Sequence, residues 1–374
     1  METNKTLLFT LIYGFVFASL AITIPLYLDS IGYSLSEMGV VLGTAALLSS
    51  FIGIGLAALG DRFGRKFLLS LYPAASALGT GLIAAFASLP AIVLGNALWD
   101  FAKNNTWNTI LARISDLSKK ENRGFAVGMF SAAFALTYAL SHFIAGSLIS
   151  ALGFFSTFSI IIAASLSMSA IALLFKETAN RNHRVSLSLG ILRTRNGALN
   201  FLVSFLTGLS DIVYIYVIYI FFKYHFGLDA AQTGFFLALA LLVWPVASYF
   251  SGPLVDKYGI KKAMSLGALA NGLLWVAAIF FQEFWPFMLI IALDALFWPL
   301  FSIGGQKLSS IIPEKENLGR DVSIFGIAYV FGIIVASFAG GFLAETSFSL
   351  VFAVRAAVML LAGFVVFFLM KVKD

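Results

Sequence analysis

Apolar runs of about 20 residues recur along the whole chain, each long enough to cross about 30 Å of hydrocarbon as an α-helix. A mean hydropathy of +0.95 and 39 phenylalanines in 374 residues exclude an ordinary soluble protein. We therefore predict an all-α integral membrane protein with twelve transmembrane helices, at residues 6–28, 37–60, 67–88, 90–111, 124–150, 153–175, 199–222, 229–252, 262–281, 284–308, 318–344 and 347–370.

The first apolar run could also be a signal peptide, because it follows only the residues METNK and has small residues near Ser19 and Ala21. Its length and the eleven runs behind it favour a retained first helix. The chain has no cysteine, which excludes disulfides and thiolate metal sites.

The net charge of +6 is a topology signal and does not imply a nucleic-acid partner. Of the 24 Lys and Arg residues, 21 fall at one side of the membrane if twelve helices alternate. The positive-inside rule makes that side cytoplasmic, with both termini inside. We therefore expect a multi-pass protein of the plasma membrane.

Matching residues recur at a constant offset of 195, which indicates two copies of one unit. Two six-helix copies that both begin inside are parallel repeats related by an axis along the membrane normal. This predicts an N-terminal bundle at 1–175, a linker at 176–196 and a C-terminal bundle at 197–374. The basic linker is interpreted as a solvated cytoplasmic loop, with a site for anionic lipid or a partner as the alternative. The matched pairs include Asp61 with Asp256, Gly64 with Gly259, and Lys66 with Lys261.

The stretch GDRFGRK after the second predicted helix, echoed by GPLVDKYGIKK after the eighth, resembles the signature loop of the major facilitator superfamily. The resemblance covers the whole chain, because the helix count, the repeat and the basic central loop also match that layout. It implies two pseudo-symmetric six-helix bundles that open a central cavity alternately to each side. In that family Asp61 would face the start of helix eleven near Gly319, and Arg65 would pair with Asp116 or a neighbouring acid.

Such contacts would hold the cytoplasmic side shut and bias the conformational equilibrium. The alternative is that these charges only enforce topology. The predicted latch residues are Asp61, Arg62, Gly64, Arg65, Lys66, Asp116, Arg123, Asp256, Lys257 and Gly259.

Ionisable residues inside the predicted spans are functional candidates, because charge near the bilayer centre is costly. The candidates for proton coupling are Asp100, Asp211, Asp294 and His142, since burial disfavours the charged form of a carboxylate. Asp100 and Lys103 can pair at i, i+3, and a purely structural ion pair is the alternative. For His142 the alternative is a hydrogen-bonded packing residue. Helical spacing predicts a substrate cavity lined by Asn96, Asp100, Lys103, Asn104, Trp107, Tyr138, Ser204, Thr207, Asp211, Tyr214, Asp294 and Trp298.

Zinc-protease, nucleophile-elbow and phosphate-loop motifs are absent from the sequence, which argues against an enzyme or a primary pump. We predict a monomeric secondary transporter that needs no cofactor and whose partners are a small-molecule substrate, protons and the lipid bilayer. The balance of buried charges favours a neutral or cationic amphipathic substrate and export. The stretch SHFIAG, residues 141–146, departs from the Gly-Pro pattern of drug–proton antiporters. A proton-coupled importer of a sugar or metabolite, and a transport-dead receptor or scaffold, remain alternatives.

Overall fold

The chain forms thirteen α-helices within the residues that the computed structural model describes, which are 2–118, 123–178, 189–313 and 318–371. For 54–63, 115, 123–125, 127 and 318–320 only the backbone is described. The helices are α1 (Glu2–Ser30), α2 (Leu35–Phe63), α3 (Arg65–Ala85), α4 (Leu89–Leu117), α5 (Arg123–Leu173), α6 (Arg195–Ser210), α7 (Val217–Phe226), α8 (Ala230–Leu241), α9 (Val243–Tyr258), α10 (Ile260–Phe280), α11 (Phe284–Ile311), α12 (Leu318–Thr346) and α13 (Phe348–Phe364). Short helical turns cover Leu189–Arg193, Asp211–Val213 and Val365–Leu369.

Ten segments of the described chain are long and apolar enough to cross a membrane. The all-helical prediction is therefore confirmed, whereas the count of twelve is not. One of these segments, Gly128–Leu173, holds two of the predicted spans, which are separated at Gly153, where φ is 77°. The helix α4 is not among the ten, because Asp100, Lys103, Arg113 and Asp116 lower its hydropathy.

The seventh predicted span is not one continuous helix, which corrects the prediction for 199–222. The helix α6 ends at Ser210, a single 3-10 turn covers Asp211–Val213, and α7 begins at Val217. Residues 212–218 are all β-branched or aromatic and so lose side-chain freedom in a helix. The backbone here is buried in protein, which is the condition under which non-helical segments are tolerated inside a membrane.

The chain packs as two compact units, one of residues 1–184 with 219–242 and one of residues 185–218 with 243–374. The unit boundaries fall within the predicted linker, at 184/185, and again within the seventh and eighth predicted spans, at 218/219 and 242/243. The predicted domain boundaries follow chain order and the repeat, and they stay a prediction.

In the first unit, α5 is the central packing element, with α1, α3 and α8 against it, while α4 packs on α2 and α3. Glycines allow α5 and α8 to approach closely. A Cβ at Gly146 would overlap the carbonyl oxygen of Ala230, and one at Gly234 would overlap that of His142. The helix α8 begins with a capping box in which Asp229 accepts from the backbone N–H of Gln232 at 2.8 Å.

In the second unit, α10 lies against α11 and α13, and α6 lies against α12 and α13. Its core includes the buried side chains of Met264, Phe301 and Met359. The helix α6 begins at Thr194, whose hydroxyl accepts from the backbone N–H of Gly197 at 3.1 Å. This packing holds α6 and α11 in place. Asp211 directly follows the last residue of α6, and Asp294 lies near the middle of α11.

The repeat predicted from the sequence has structural counterparts in both units. Gly64 and Gly259, which are 195 residues apart, stand before α3 and α10 with φ of 85° and 87°. A Cβ added at Gly14 would lie 3.0 Å from the Phe134 carbonyl oxygen on α5, and one added at Gly208 would overlap the Tyr329 carbonyl oxygen on α12. Positions 134 and 329 are also 195 residues apart, so they play matching roles in the two units.

Replacing Gly259 with alanine is expected to destabilise the protein by about 1–3 kcal/mol, because φ of 87° with ψ of 151° is a backbone region that side chains avoid. The free energy of unfolding in detergent measures this cost. Gly252→Ala is the matched control, since Gly252 is helical and an added Cβ there meets nothing within 4 Å. Equal stabilities of the two variants would contradict the assignment of strain to Gly259.

Candidate functional site

The first candidate cluster lies on α4, where Lys103 and Asp100 form the predicted ion pair. The Lys103 Nζ lies 2.7 Å from Asp100 Oδ1, and the two side chains keep 22% and 14% of their surface exposed. The Tyr13 hydroxyl on α1 donates to the Lys103 carbonyl at 2.9 Å, which fixes the backbone of the pair against α1. The pair is thus anchored at its base and partly open at its charged end.

Two aromatic rings lie beside this pair and contact further rings, and we call the whole set the aromatic wall: Phe17 of α1, Trp99 and Trp107 of α4, and Phe134 and Tyr138 of α5. Ring centroids lie 5.7 Å apart for Phe17 and Trp99, 5.8 Å for Phe17 and Phe134, and 5.0 Å for Trp107 and Phe134. The Lys103 ammonium lies 5.8 Å and 5.9 Å from the centroids of Phe17 and Trp99. These are cation–π distances, so the rings stabilise a positive charge at this position.

The remaining predicted site residues of the first unit differ in burial and in their hydrogen-bond partners. Asn96 is buried and donates to the Ile92 carbonyl of its own helix at 2.9 Å, whereas Asn104 is half-buried. His142 is buried, with Nδ1 2.9 Å from the Tyr138 carbonyl and Nε2 3.1 Å from the Tyr219 hydroxyl. A carbonyl only accepts, so Nδ1 carries the proton and Nε2 accepts from Tyr219 when the ring is neutral. Both ring nitrogens are then satisfied, which favours the packing role for His142.

The second candidate cluster centres on Asp294, which is buried in α11 of the second unit. The Trp275 indole donates to Oδ1 at 2.7 Å, and the Tyr214 hydroxyl donates to Oδ2 at 2.9 Å. The Arg355 Nη2 lies 3.2 Å from both carboxylate oxygens. Three donors from three other segments therefore converge on this carboxylate.

Arg355 joins this cluster to the broken seventh span. Its Nη1 donates to the Ser210 carbonyl, the last residue of α6, so the guanidinium satisfies a carbonyl at the end of that helix. Asp211 lies close enough to interact electrostatically with Arg355, and it accepts a hydrogen bond from the Tyr329 hydroxyl at 2.8 Å. Two acids thus share one buried arginine.

Other predicted cavity residues of the second unit contribute less directly. The ring of Trp298 lies 5.8 Å from the Arg355 guanidinium, so it contacts the cation rather than Asp294. The Thr207 hydroxyl donates to the Val203 carbonyl at 2.7 Å, and Ser204 is half-buried. The ring of Tyr214 lies 4.7 Å from the same guanidinium.

The predicted latch residues of the first copy form a local network. Arg65 donates to Asp116 and, at 2.8 Å, to the Ala112 carbonyl, both on α4. The Glu177 carboxylate accepts from the backbone N–H groups of Arg65 at 3.1 Å and Lys66 at 3.2 Å. A carboxylate here satisfies the unpaired donors at the start of α3. The side chains of Asp61, Arg62 and Arg123 lie outside the described residues.

In the second copy, Asp256 pairs with Lys307 of α11, and Lys257 lies 5.2 Å from the ring of Tyr258. Position 307 is 195 residues after Ala112, so both copies anchor the loop at the same place on equivalent helices. The anchoring residues are not equivalent, because Asp256 corresponds to Asp61 in the first copy and not to Arg65.

Sequence reasoning missed several residues of these clusters. Arg355 could have been paired with an acid, because an arginine inside an apolar helix needs a partner. Trp275 and Glu177 gave no comparable signal. Arg113 lies beyond the fourth predicted span, which ends at 111, but α4 continues six residues further, to Leu117. Arg113 is fully buried there and donates to the Thr6 hydroxyl at 3.1 Å.

Neither cluster forms a metal site, and no group of three potential ligands occurs in the part of the chain that the structure describes. The family model of the Major Facilitator Superfamily matches residues 6–195 and 201–374. The chain belongs to the major facilitator superfamily. The predicted family is thereby confirmed, and the ten apolar segments and the family together make the chain a multi-pass membrane protein of a transporter family.

This superfamily member is similar in sequence to a multidrug resistance protein and in structure to two proteins named as a transporter and a symporter. The multidrug resistance protein MdtG of Escherichia coli K12 is 28% identical over 143 residues, which are 38% of this chain and 35% of MdtG. The nucleoside transporter NupG has a TM-score of 0.76 at 14% identity, with 100% of both chains covered. The D-xylose–proton symporter has a TM-score of 0.80 at 14% identity, with 99% of this chain and 98% of that one covered. At such identities the structural likeness shows the fold.

Proposed function

We propose that this protein is a proton-coupled secondary transporter that moves a small organic solute by alternating access. Export of a neutral or cationic amphipathic compound is favoured over import. The partial match to MdtG supports export, while the short region that it covers leaves the substrate to experiment. The observation that carries the proposal is the Asp100–Lys103 pair, a breakable ion pair held among aromatic rings within an apolar helix bundle.

Asp100 is the preferred coupling residue because its charge has the least support from its surroundings. Lys103 is the one cation within ion-pair distance of Asp100 among the described residues, and both groups are partly exposed. Asp294 accepts hydrogen bonds from Arg355, Trp275 and Tyr214, so a proton would have to compete with donors that already occupy both carboxylate oxygens. Asp211 remains the second choice for the coupling residue. His142 is a weaker candidate, because both of its ring nitrogens are hydrogen-bonded.

The same proposal includes twelve membrane crossings in a monomeric protein of the plasma membrane. Separating Gly128–Leu173 at Gly153 and adding α4 to the ten apolar segments supports that number. An even number of crossings keeps both termini on one side of the membrane, which the positive-inside rule makes the cytoplasm.

Flux in proteoliposomes tests the function. A pH gradient across the vesicle membrane is expected to drive a screened amphipathic compound against its concentration gradient, and dissipating the pH gradient should stop it. The direction of the pH gradient that drives uptake distinguishes export from import. A chain that binds compounds but moves none of them in either direction would instead be a receptor or scaffold.

Topology can be tested by cysteine labelling, since the chain contains no native cysteine. A cysteine at Arg193, an exposed position in the predicted linker, is expected to resist a membrane-impermeant reagent added to intact cells. A cysteine at the exposed Glu283 should react, because that loop lies on the opposite predicted side. The reverse labelling pattern would invert the proposed orientation.

The latch residues give a further prediction. Asp61→Asn is expected to shift the protein toward the state open to the cytoplasm and to slow the transport cycle without unfolding it. A loss of about 1–3 kcal/mol of coupling free energy is enough to change the fraction of protein that is open to the cytoplasm by a measurable amount. Cysteine accessibility from the cytoplasmic side measures the shift. Unchanged accessibility and unchanged flux would reduce this loop to a topology signal.

A further inference from the structure

The aromatic wall combines rings and charges in a way that identifies a ligand class. Phe17, Trp107, Phe134 and Tyr138 are each only half-buried, so part of each ring remains open. Behind them, the buried Tyr13 stacks on Trp107 at 6.4 Å with an interplanar angle of 13°. The wall is therefore a supported surface of rings and not a set of isolated side chains.

Aromatic rings alone could face lipid, but the ion pair beside them argues otherwise. Asp100 and Lys103 are partly exposed at the edge of the wall, and a charge exposed to acyl chains costs about 2.5–3.5 kcal/mol even on the mildest scales. Intramembrane charges therefore face a protein interior or a water-filled space. The wall is thus expected to border a space that a polar ligand can enter.

The charge of the pair restricts what can bind. Asp100 and Lys103 together are neutral, so a ligand with a single charge would pair with one of them and leave the other unpaired. An unpaired charge away from bulk water is strongly unfavourable. A zwitterion replaces one ion pair with two and leaves no charge unpaired.

We propose that this surface binds an aromatic zwitterion of the α-amino acid type. The ligand's ring stacks on the wall, its ammonium pairs with Asp100, and its carboxylate pairs with Lys103. This inference rests on the proposed function, because the ligand's ammonium and a proton then compete for Asp100. That competition is the form of coupling that an exchange of substrate for proton requires.

The test uses four probes with the purified full-length protein in lipid nanodiscs at neutral pH. L-phenylalanine has the ring and both charges, phenethylamine lacks the carboxylate, 3-phenylpropionate lacks the ammonium, and L-alanine lacks the ring. The dissociation constant measured by calorimetry is expected to be at least about tenfold lower for phenylalanine than for each of the other three probes. A tenfold change in affinity is about the contribution of one charged hydrogen bond. Equal affinity of phenethylamine and phenylalanine would overturn the zwitterion assignment.

Variants assign each charge to its partner. Lys103→Gln is expected to reduce phenylalanine binding to the level of phenethylamine, and Asp100→Asn to that of 3-phenylpropionate. Lys5→Gln is the matched control, because Lys5 forms an i, i+3 pair with Glu2 that lies outside the wall. Wild-type affinity in both site variants would place the ligand elsewhere.

The ring contribution is tested with Trp107→Leu, which should lower phenylalanine affinity about tenfold, while Trp107→Phe should retain most of it. Trp285→Leu serves as control, since Trp285 is 68% exposed and far along the chain from the wall. Thermal melting of each variant distinguishes lost binding from lost folding. If none of the four probes binds while another compound still shows proton-driven flux, this inference fails and the proposed function stands. If phenylalanine binds but no compound is transported, the proposed function fails and the binding inference stands.

Discussion

Asp100→Asn is expected to abolish proton-driven accumulation of substrate while preserving exchange of substrate across the membrane. Asparagine keeps the size of the side chain but can neither lose nor take up a proton at neutral pH. Exchange needs no change of protonation state, so it should continue at a reduced rate. The measurement compares pH-driven uptake with counterflow in proteoliposomes, and uptake in the variant should reach only the equilibrium ratio.

Parallel substitutions rank the other acids in the same assay. Asp294→Asn is expected to retain accumulation in the folded fraction, because both oxygens of that carboxylate already accept hydrogen bonds from Arg355 and two further donors. Asp211→Asn serves as the second test. If Asp100→Asn still accumulates substrate with wild-type pH dependence, Asp100 is not the coupling residue and its pair with Lys103 is structural.

Arg355→Gln is expected to destabilise the protein by about 3–5 kcal/mol, because it leaves the buried Asp294 carboxylate without its cation. It also removes the donor to the Ser210 carbonyl at the end of α6. The double variant Arg355→Gln with Asp294→Asn should recover part of the loss, with an interaction free energy of about 0.5–3 kcal/mol. Unfolding in detergent, followed by helical circular dichroism, measures both values.

An exposed ion pair of the second unit provides the control for this cycle. Lys307 and Asp256 keep 41% and 71% of their side-chain surface exposed, so Lys307→Gln should cost no more than about 1 kcal/mol. Additive effects in the Arg355 and Asp294 variants would mean that the buried pair contributes no coupling to stability.

The sequence predicts the helical class, the family and the 195-residue repeat because these depend on local composition and on spacing along the chain. Runs of apolar residues determine which segments can lie in a bilayer. The matching positions of Gly64 and Gly259 can be read from the sequence, and the structure shows that both residues have a positive φ. The pair of Asp100 and Lys103 is also predictable, since residues three apart on a helix lie on one face.

Partners that come from distant parts of the chain were not predictable in the same way. Asp294 and Trp298 were both predicted to line the cavity, but the hydrogen-bond partners of Asp294 are Tyr214, Trp275 of α10 and Arg355 of α13. The contact of the Arg355 guanidinium with the Ser210 carbonyl is of the same kind, since it joins residues 145 apart in the chain.

The sequence by itself thus determined what kind of solvent surrounds this chain, how many copies of the repeat it contains and which short-range pairs can form. Only the tertiary structure decided which buried charges meet, because helix packing brings together residues that are far apart in sequence, such as Ser210 and Arg355. It also decided which acids lie among hydrogen-bond donors. The physical reason is that the cost of a buried charge depends on the number of donors around it, and those donors come from neighbouring helices.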